Sequence, residues 1–579
     1  MTSIAKLNAA SVQDFVGALE SIWERSPWIP ERAAELRPFH SVLDLHAAMS
    51  SRVFAASLDD QLALIRAHPQ LAGRAAAHGE LTPDSTREQR GAGLDACSPE
   101  ELARLAKLNA LYVDRFGFPF VLAVKGHNRS SILSELERRV GNALDAERTE
   151  ALQQISRIAA FRLMDLVEEG AGARIHSMAE HLALISESDD SLTCSYLTPA
   201  HRATAAQLRD WMLASGLTVE IDAVGNVIGR LKGTSAAAGT LLTGSHYDTV
   251  VDAGKFDGRL GVLLPIVVVS QLRREGVRLP YTLEIIAFAE EEGVRFKSTF
   301  LGSRALTGRF DPALLESLDQ DGISMRDAMR AAGLEPDASK IASAALDPRE
   351  LLGFVEVHIE QGPTLLEAGR ALGVVTSIAG SIRSVVSVTG TAGHSGTVPM
   401  QFRHDAAAGA AEMVLAVEKR CQDVPGLVGT VGQLNVPGGA INVIPGRCEF
   451  SVDIRSGTDS VRDAAFADVK AECERIGARR GLAVEWRKVL EINSVPCASK
   501  MQQRWADSIH KLTGLEACRL PSGAGHDAMV MAELTDVGML FVRCGNGGIS
   551  HSPLETLSEA DADVAARTFR HFLLSFTPT

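Results

Sequence analysis

The sequence predicts a multidomain protein in which an all-α domain (residues 1–170) precedes an α/β domain (175–382 and 491–579) split by an α+β insertion (383–490). Three observations carry this expectation. Apolar residues recur at helical spacing through the first 168 positions, with no alternating strand pattern among them. Short apolar strands then alternate with helical stretches, the pattern of a largely parallel sheet. Inside that region a block with its own strands and long helices interrupts the alternation, which resumes near Ala517. At 579 residues the chain is also too long for a single core.

In chain order, helical periodicity marks Val12–Leu19, Leu58–Ile65, Leu102–Val113, Ile132–Val140 and Ala151–Val167. The breaks fall at Ser26-Pro27, Thr82-Pro83, Ser98-Pro99 and Phe118-Pro119, where proline starts or stops helices. Glu168 to Ala173, rich in Gly and Ala, reads as a short linker. Strands are expected at Gly239–Thr243, Tyr281–Phe288 and Gly353–Val357. The insertion should hold strands at Ser384–Val388 and Cys448–Ile454 and helices at Ala406–Lys419 and Ser460–Arg475.

Composition narrows the function. A net charge of -14 argues against nucleic acid or an anionic membrane as the main partner. The 8 cysteines show no CxxC pairing, as expected of reduced thiols in a cytoplasmic protein. The first residues, MTSIAKLNAASVQDF, contain no apolar signal core. The most apolar stretch, Gly261–Leu272, is too short to cross a bilayer and contains Pro265.

Metal-ligand residue types cluster where strands end, the place open α/β sheets put their sites. The clusters are Thr243-Gly-Ser-His-Tyr-Asp-Thr249, Lys255-Phe-Asp-Gly-Arg-Leu-Gly261, Ala289-Glu-Glu-Glu-Gly293, Glu356-Val-His-Ile-Glu-Gln-Gly362 and Gly545-Asn-Gly-Gly-Ile-Ser-His-Ser-Pro553. A single His is more often packed or exposed than catalytic, and three Glu in a row usually form a solvated face. Here the three end an apolar strand, an expensive place for unpaired carboxylates. His, Asp and Glu without Cys suit zinc, manganese or related divalent ions. Two such ions sharing a carboxylate can turn a bridging water into a nucleophile near neutral pH.

In order and local sequence these clusters resemble the dinuclear amidohydrolase branch of the zinc-peptidase superfamily, which contains allantoate amidohydrolase, N-carbamoyl-amino-acid hydrolase and β-ureidopropionase. The resemblance covers about residues 175–579. It implies two divalent ions, manganese or zinc, with His246 and His358 as terminal ligands, Asp257 bridging, and Glu292 and His551 on the second ion. Glu291 is then the general base and Asp248 orients His246. The block 383–490 corresponds to a lid and dimerisation domain whose His394, in Gly393-His-Ser-Gly-Thr-Val-Pro399, reaches the site of the second chain and stabilises the oxyanion. Gln361, Arg383, Asn442, Arg455, Gly523 and Gly525 are the implied substrate-binding residues, Arg455 suiting a carboxylate. Aminopeptidase relatives usually carry Asp-Glu-Glu and lack EVHIEQG, which disfavours a peptidase.

The first region resembles OHCU decarboxylase, the enzyme of a ureidoimidazoline formed in urate breakdown, over about residues 4–168. The stretches AHPQLAG, LTPDSTREQRGAGLD, RFGFPFVLAVKG and RIAAFRLMDLV carry the likeness, with Gln70 standing where that family's loop has Asp. It implies a cofactor-free decarboxylation to (S)-allantoin, His68 being the acid/base group beside Glu88, with Ser85, Gln89 and Arg162 holding the substrate. Together the two likenesses point to a bifunctional enzyme of urate breakdown acting on small ureido compounds, a homodimer through the lid. The alternative is an N-carbamoyl-L-amino-acid hydrolase or β-ureidopropionase fused to a catalytically silent helical domain.

Overall fold

The computed structural model of the chain describes residues 2–71, 82–94, 97–235 and 238–578. Ala72, Gly73, Leu81 and Asp95, at the edges of two of the N-terminal motifs, lie outside these residues. The first part is helical: α1 (Ile4–Ala9), α2 (Val12–Leu19), α3 (Trp28–Ala33), α4 (Val42–Phe54), α5 (Leu58–Ala67), α6 (Pro83–Gly91), α7 (Pro99–Phe116), α8 (Arg129–Val140) and α9 (Leu144–Leu166). Side-chain caps set the starts. Ser11, Ser41, Ser57, Thr82, Ser98 and Asn128 each accept a hydrogen bond from the backbone N–H three residues on. Pro83 and Pro99 occupy the first turn, where a missing N–H costs nothing. Phe118-Pro119 leads instead into an irregular buried segment, Phe120 to Val124.

The sequence conceals one feature here. Val167–Glu168 (β2) pairs in parallel with Thr2–Ser3 (β1), and α10 (Ala171–Ala183) starts three residues later. The apparent linker is therefore a strand end and a helix start. Its small residues serve packing: a Cβ on Gly172 would lie 2.0 Å from the carbonyl oxygen of Glu559, so the helices cross there at backbone contact.

Helix α11 (Pro199–Ala214) precedes strands β3 (Thr218–Ile221), β4 (Val227–Leu231) and β5 (Thr240–His246); α12 (Leu260–Arg274) leads to β6 (Thr282–Phe288), β7 (Leu351–Ile359) and β8 (Leu372–Ile378). Residues 380–492 then form β9 (Gly380–Thr389), β10 (Gly393–His394), α13 (Ala406–Cys421), β11 (Leu427–Thr430), β12 (Leu434–Asn435), β13 (Val443–Ile444), β14 (Arg447–Ser456), α14 (Asp459–Arg480) and β15 (Ala483–Ile492). The chain closes with β16 (Val495–Pro496), α15 (Ser499–Thr513), β17 (Cys518–Ser522), β18 (Val537–Val542) and α16 (Glu559–Ser575).

The large sheet runs β16-β8-β18-β7-β5-β6-β4-β3, with β17 also on β8. It is mixed rather than largely parallel. β18, β7, β5 and β6 run parallel at its centre and β17 runs parallel to β8; β4, β3 and β16 add antiparallel, and β18 meets β8 antiparallel. The cause at one edge is local: Asp222 Oδ1 accepts from the N–H groups of Val224 and Asn226, closing a turn that folds β3 onto β4 as a hairpin. A second sheet, β11-β14-β9-β15 with β12 on β14, is antiparallel and has its own core, where Val386, Val388, Val452 and Ile454 meet Met413, Val417, Val469 and Ile476.

The apolar run Gly261–Leu272 is helix α12, buried nearly throughout and packed on β5, β6 and β7 with α10 and α16 beside it. No helix among the described residues is long and apolar enough to cross a membrane. One hydrophobic core extends without interruption from Phe15 and Leu45 in the first region to Leu263 and Phe572 beyond it.

Candidate metal centre and a second pocket

Parallel pairing brings the ends of the central strands together. His246 is the last residue of β5 and sits in register with Phe288, two residues before Glu290; His358 is the penultimate residue of β7. Asp257 lies on the turn into α12, and His551 on the loop after β18.

Asp257 is the meeting point. Its Oδ1 is 3.3 Å from His358 Nε2 and 3.8 Å from His246 Nε2, while its Oδ2 is 3.0 Å from His551 Nε2. Glu292 Oε1 is 3.5 Å from His551 Nε2. The donor atoms of His246, Asp257 and His358 lie within 4.8 Å of one another, as do those of Asp257, Glu292 and His551, and those of His246, Glu291 and Glu292. Two of these sets share Asp257, and each could hold a metal ion.

The electrostatics of the donor set fit a centre of positive charge. Burial, with repulsion from neighbouring carboxylates, pushes Glu291 and Asp527 well above the usual carboxylate range and Glu292 up to about 7. Burial likewise raises Glu356 and Glu555 to about 7. Asp257 goes the other way: the hydrogen bond from His551 and the nearby imidazoles outweigh its burial and hold it low. Its hydrogen bond to Asp257 lifts His551 to about 9, whereas burial lowers His358 to about 4. So many carboxylates buried together cannot all ionise without cations among them.

The supporting shell is specific. His246 Nδ1 lies 3.1 Å from the Asp248 carbonyl, and the Asp248 carboxylate accepts from the backbone N–H groups of Glu291 and Glu292 at 3.0 and 3.1 Å. Asp248 thus aligns the Glu triplet as well as His246. His358 Nδ1 donates to the Ile359 carbonyl, so Nε2 is an acceptor, which takes the Gly258 N–H at 3.2 Å and is the atom free to ligate a metal. Three supporting groups were given no role by the sequence, although Glu356 opens one of the motifs. Glu555 accepts from the N–H groups of Phe256 and Asp257 and from Ser550 Oγ, pinning the Asp257 turn. Glu356 accepts from Ser245 Oγ and the Ala528 N–H. The His526 ring packs at 4.5 Å from that of His358.

The residues expected to bind substrate fall into three places. Gln361 donates to Asp257 Oδ1 at 3.0 Å, inside the cluster. Arg383 and Arg455 both pair with Asp453, and Arg455 also donates to the Gly523 carbonyl at 2.9 Å. Gly525 lies against the Phe300 ring. His394 and Asn442 stand at the antiparallel β10–β13 pair, where His394 is paired with Val443 and the Ser395 N–H donates to the Asn442 carbonyl. Both are exposed, and His394 makes no hydrogen bond or ion pair with the cluster within its own chain.

A second pocket lies in the helical region. His68, Ser85, Glu88, Gln89 and Arg162 line one small cavity with Phe120, Leu122 and Val124. Arg162 is its hub: it forks onto both Glu88 oxygens at 2.9 and 3.0 Å, donates to Glu24 at 3.1 Å and to Ser85 Oγ at 3.3 Å. Glu24, also buried, is the partner that no motif indicated. His68 Nδ1 is 3.1 Å from the Leu64 carbonyl. A carbonyl only accepts, so Nδ1 carries the hydrogen and Nε2 is the basic atom. Burial lowers His68 to about 4.

Comparison with known proteins agrees with this division. A family model described as peptidase family M20/M25/M40 matches residues 242–575, and one described as OHCU decarboxylase matches residues 8–164. An allantoate deiminase of Arabidopsis thaliana is 39% identical over 438 residues, covering 71% of this chain and 82% of that protein. An N-carbamoyl-L-amino acid amidohydrolase of Geobacillus stearothermophilus is 40% identical over 374 residues, 65% of this chain and 90% of that one. The crystal structure of a hydantoinase/carbamoylase-family amidase from Burkholderia multivorans aligns with a TM-score of 0.65 at 30% identity, covering 70% of this chain and 98% of that one.

Proposed function

Since the chain belongs to peptidase family M20/M25/M40 and carries an OHCU decarboxylase region ahead of it, we propose that it is a bifunctional enzyme of urate breakdown. The helical region decarboxylates the ureidoimidazoline to (S)-allantoin, and the remainder hydrolyses allantoate to ureidoglycine, ammonia and CO2. The observation that supports this reading is that one chain holds two separate clusters of titratable side chains, one around Asp257 and one around Arg162.

In the hydrolase, His246, His358, Asp257, Glu292 and His551 would hold two divalent ions, zinc or manganese. Such ions supply Lewis acidity that polarises a carbonyl and makes water acidic near neutral pH. Glu291, kept basic by its burial, takes the proton from that water and returns it to the leaving nitrogen. Arg383, Arg455, Gln361, Asn442 and the Gly523–Gly525 turn bind the ureido acid, the arginines exchanging Asp453 for its carboxylate. His394 acts across a homodimer formed through residues 383–490, stabilising the oxyanion. Exposed Met400, Phe402 and Ile441 on that part of the chain are the apolar surface such a dimer would cover.

In the decarboxylase no cofactor is invoked. Arg162, Ser85 and Gln89 hold the substrate, and His68 Nε2, with Glu88 beside it, accepts a proton from it. As the bond to CO2 breaks, the electron pair stays with the ring carbon, which takes that proton back. The second reading, an N-carbamoyl-L-amino-acid hydrolase or β-ureidopropionase with a silent helical domain, draws on the equal identity to the Geobacillus enzyme. The filled constellation around Arg162 favours a working decarboxylase instead. Assays of the full chain with the ureidoimidazoline, allantoate and N-carbamoyl-L-amino acids separate the two. CO2 release from the first and ammonia from the second support the bifunctional reading. Turnover of N-carbamoyl amino acids alone overturns it.

A further inference from the structure

The cavity around His68 has a volume of about 30 Å³, little more than a water needs, and the Glu88–Arg162 ion pair forms part of its wall. A ureido acid cannot start there. The same two side chains, with Val124 and Ile158, also wall a larger cavity of about 440 Å³. Its outer lining includes Lys125 and Asp165 from the helical region and Arg273 from the far end of α12. Fifteen residues of helix, about 22 Å at 1.5 Å per residue, separate this end of α12 from the end next to Asp257.

Lys125 Nζ and Arg273 Nη1 both donate to one carbonyl, that of Ala214 at the end of α11, at 2.9 and 2.8 Å. The hydrolase region therefore fixes two cations in the wall of the larger cavity. Arg273 is half-exposed, and its nearest carboxylate, Asp165, stands at 3.7 Å. Among the described residues its Nε and Nη2 have no partner. Arg162, the next guanidinium inward, is already committed to Glu88 and Glu24. The lining thus offers an incoming anion a first contact at Arg273 and Lys125, and a second at Arg162 once its carboxylate displaces Glu88 from the fork.

We propose that this cavity is the entrance site of the decarboxylase, where Arg273 of the hydrolase region and Lys125 receive the carboxylate of a small ureido acid before it reaches Arg162. The site rests on the decarboxylase reading above and adds to it a residue from the other half of the chain. Exchanging Asp165 for an uncharged group removes the carboxylate that stands 3.7 Å from Arg273.

The test uses the full chain and measures decarboxylation of the ureidoimidazoline and ammonia release from allantoate in parallel. Arg273→Ala should raise the KM for decarboxylation about tenfold with kcat nearly unchanged, the split expected when ground-state and transition-state binding are lost equally. Arg273→Lys should recover most of the loss, and Asp165→Asn should lower KM below the wild-type value. Ammonia release should stay as in the wild type for all three, which also reports an intact fold. A loose junction would instead lower kcat and would not be improved by Asp165→Asn. If the wild type decarboxylates and Arg273→Ala matches it, the entrance site is wrong and the decarboxylase reading stands. If the wild type does not decarboxylate at all, both fall.

Discussion

Three imidazole nitrogens lie 3.0, 3.3 and 3.8 Å from the oxygens of Asp257 and the Gln361 amide donates to one of them, so small changes around this carboxylate should separate binding from chemistry. Glu291 is the cleanest probe, because its carboxylate is assigned to proton transfer while its neighbour Glu292 faces His551. Glu291→Gln should cut ammonia release by about 10²–10⁴-fold, the usual worth of a general base. Metal analysis of the same variant should still find about two ions per chain, as in a two-ion site left whole. Loss of one ion would exchange the roles of the two glutamates. In the second pocket, His68 is neutral above about pH 4 in the folded chain. The acid limb of kcat/KM for decarboxylation should therefore fall near pH 4 rather than at the ordinary imidazole value of about 6.5. A lowered folded-state value has the matching stability sign. His68 favours the folded state above pH 6.5, and that contribution is lost as pH falls from there towards 4. An acid limb at 6.5 would mean that His68 is solvated or is not the base.

Strand ends and the turns after them make the hydrolase site, and this is where sequence was most informative. GSHYDTV, KFDGRLG, AEEEGVRF, EVHIEQG and GISHSP are local signals, each on a turn that follows or joins the central strands. What holds those turns was not legible: Glu555 pins the Asp257 turn from nearly 300 residues away, and nothing in its neighbourhood distinguishes it from a surface Glu. Strand direction was likewise hidden, because the apolar runs of parallel and antiparallel strands look alike. Gly258 shows how tightly the elements fit. It has φ +64°, and a Cβ there would lie 2.4 Å from His246 Cε1. Gly258→Ala should displace His246 and weaken metal binding about 10–100-fold, as loss of ligand orientation does elsewhere. Titration with zinc or manganese reads this directly, and wild-type affinity in the variant would contradict the placement of His246. Decarboxylation should be unaffected.

At the scale of the whole molecule, two expected domains share one continuous core, with Arg157 joined to Asp210 at 2.6 Å across the junction. Periodicity and motifs revealed both parts of the chain but not their fusion. The contacts that join them are single pairs such as Lys125 with the Ala214 carbonyl and Asp165 with Arg273, whose roles exist only in three dimensions. A homodimer adds one more prediction. Mixing His394→Ala with Glu291→Gln chains should restore about half the wild-type ammonia release per heterodimer, because one of its two sites escapes both defects when His394 serves the other chain. No recovery despite subunit exchange would confine His394 to its own chain. The central claim, two independent reactions of which one needs metal, is tested most directly by stripping the full-length protein with a chelator and following both products. The account predicts that ammonia release from allantoate disappears and returns with added zinc or manganese, while decarboxylation of the ureidoimidazoline continues unchanged throughout. Equal loss of both activities, or ammonia release that persists after the metal is gone, would contradict it.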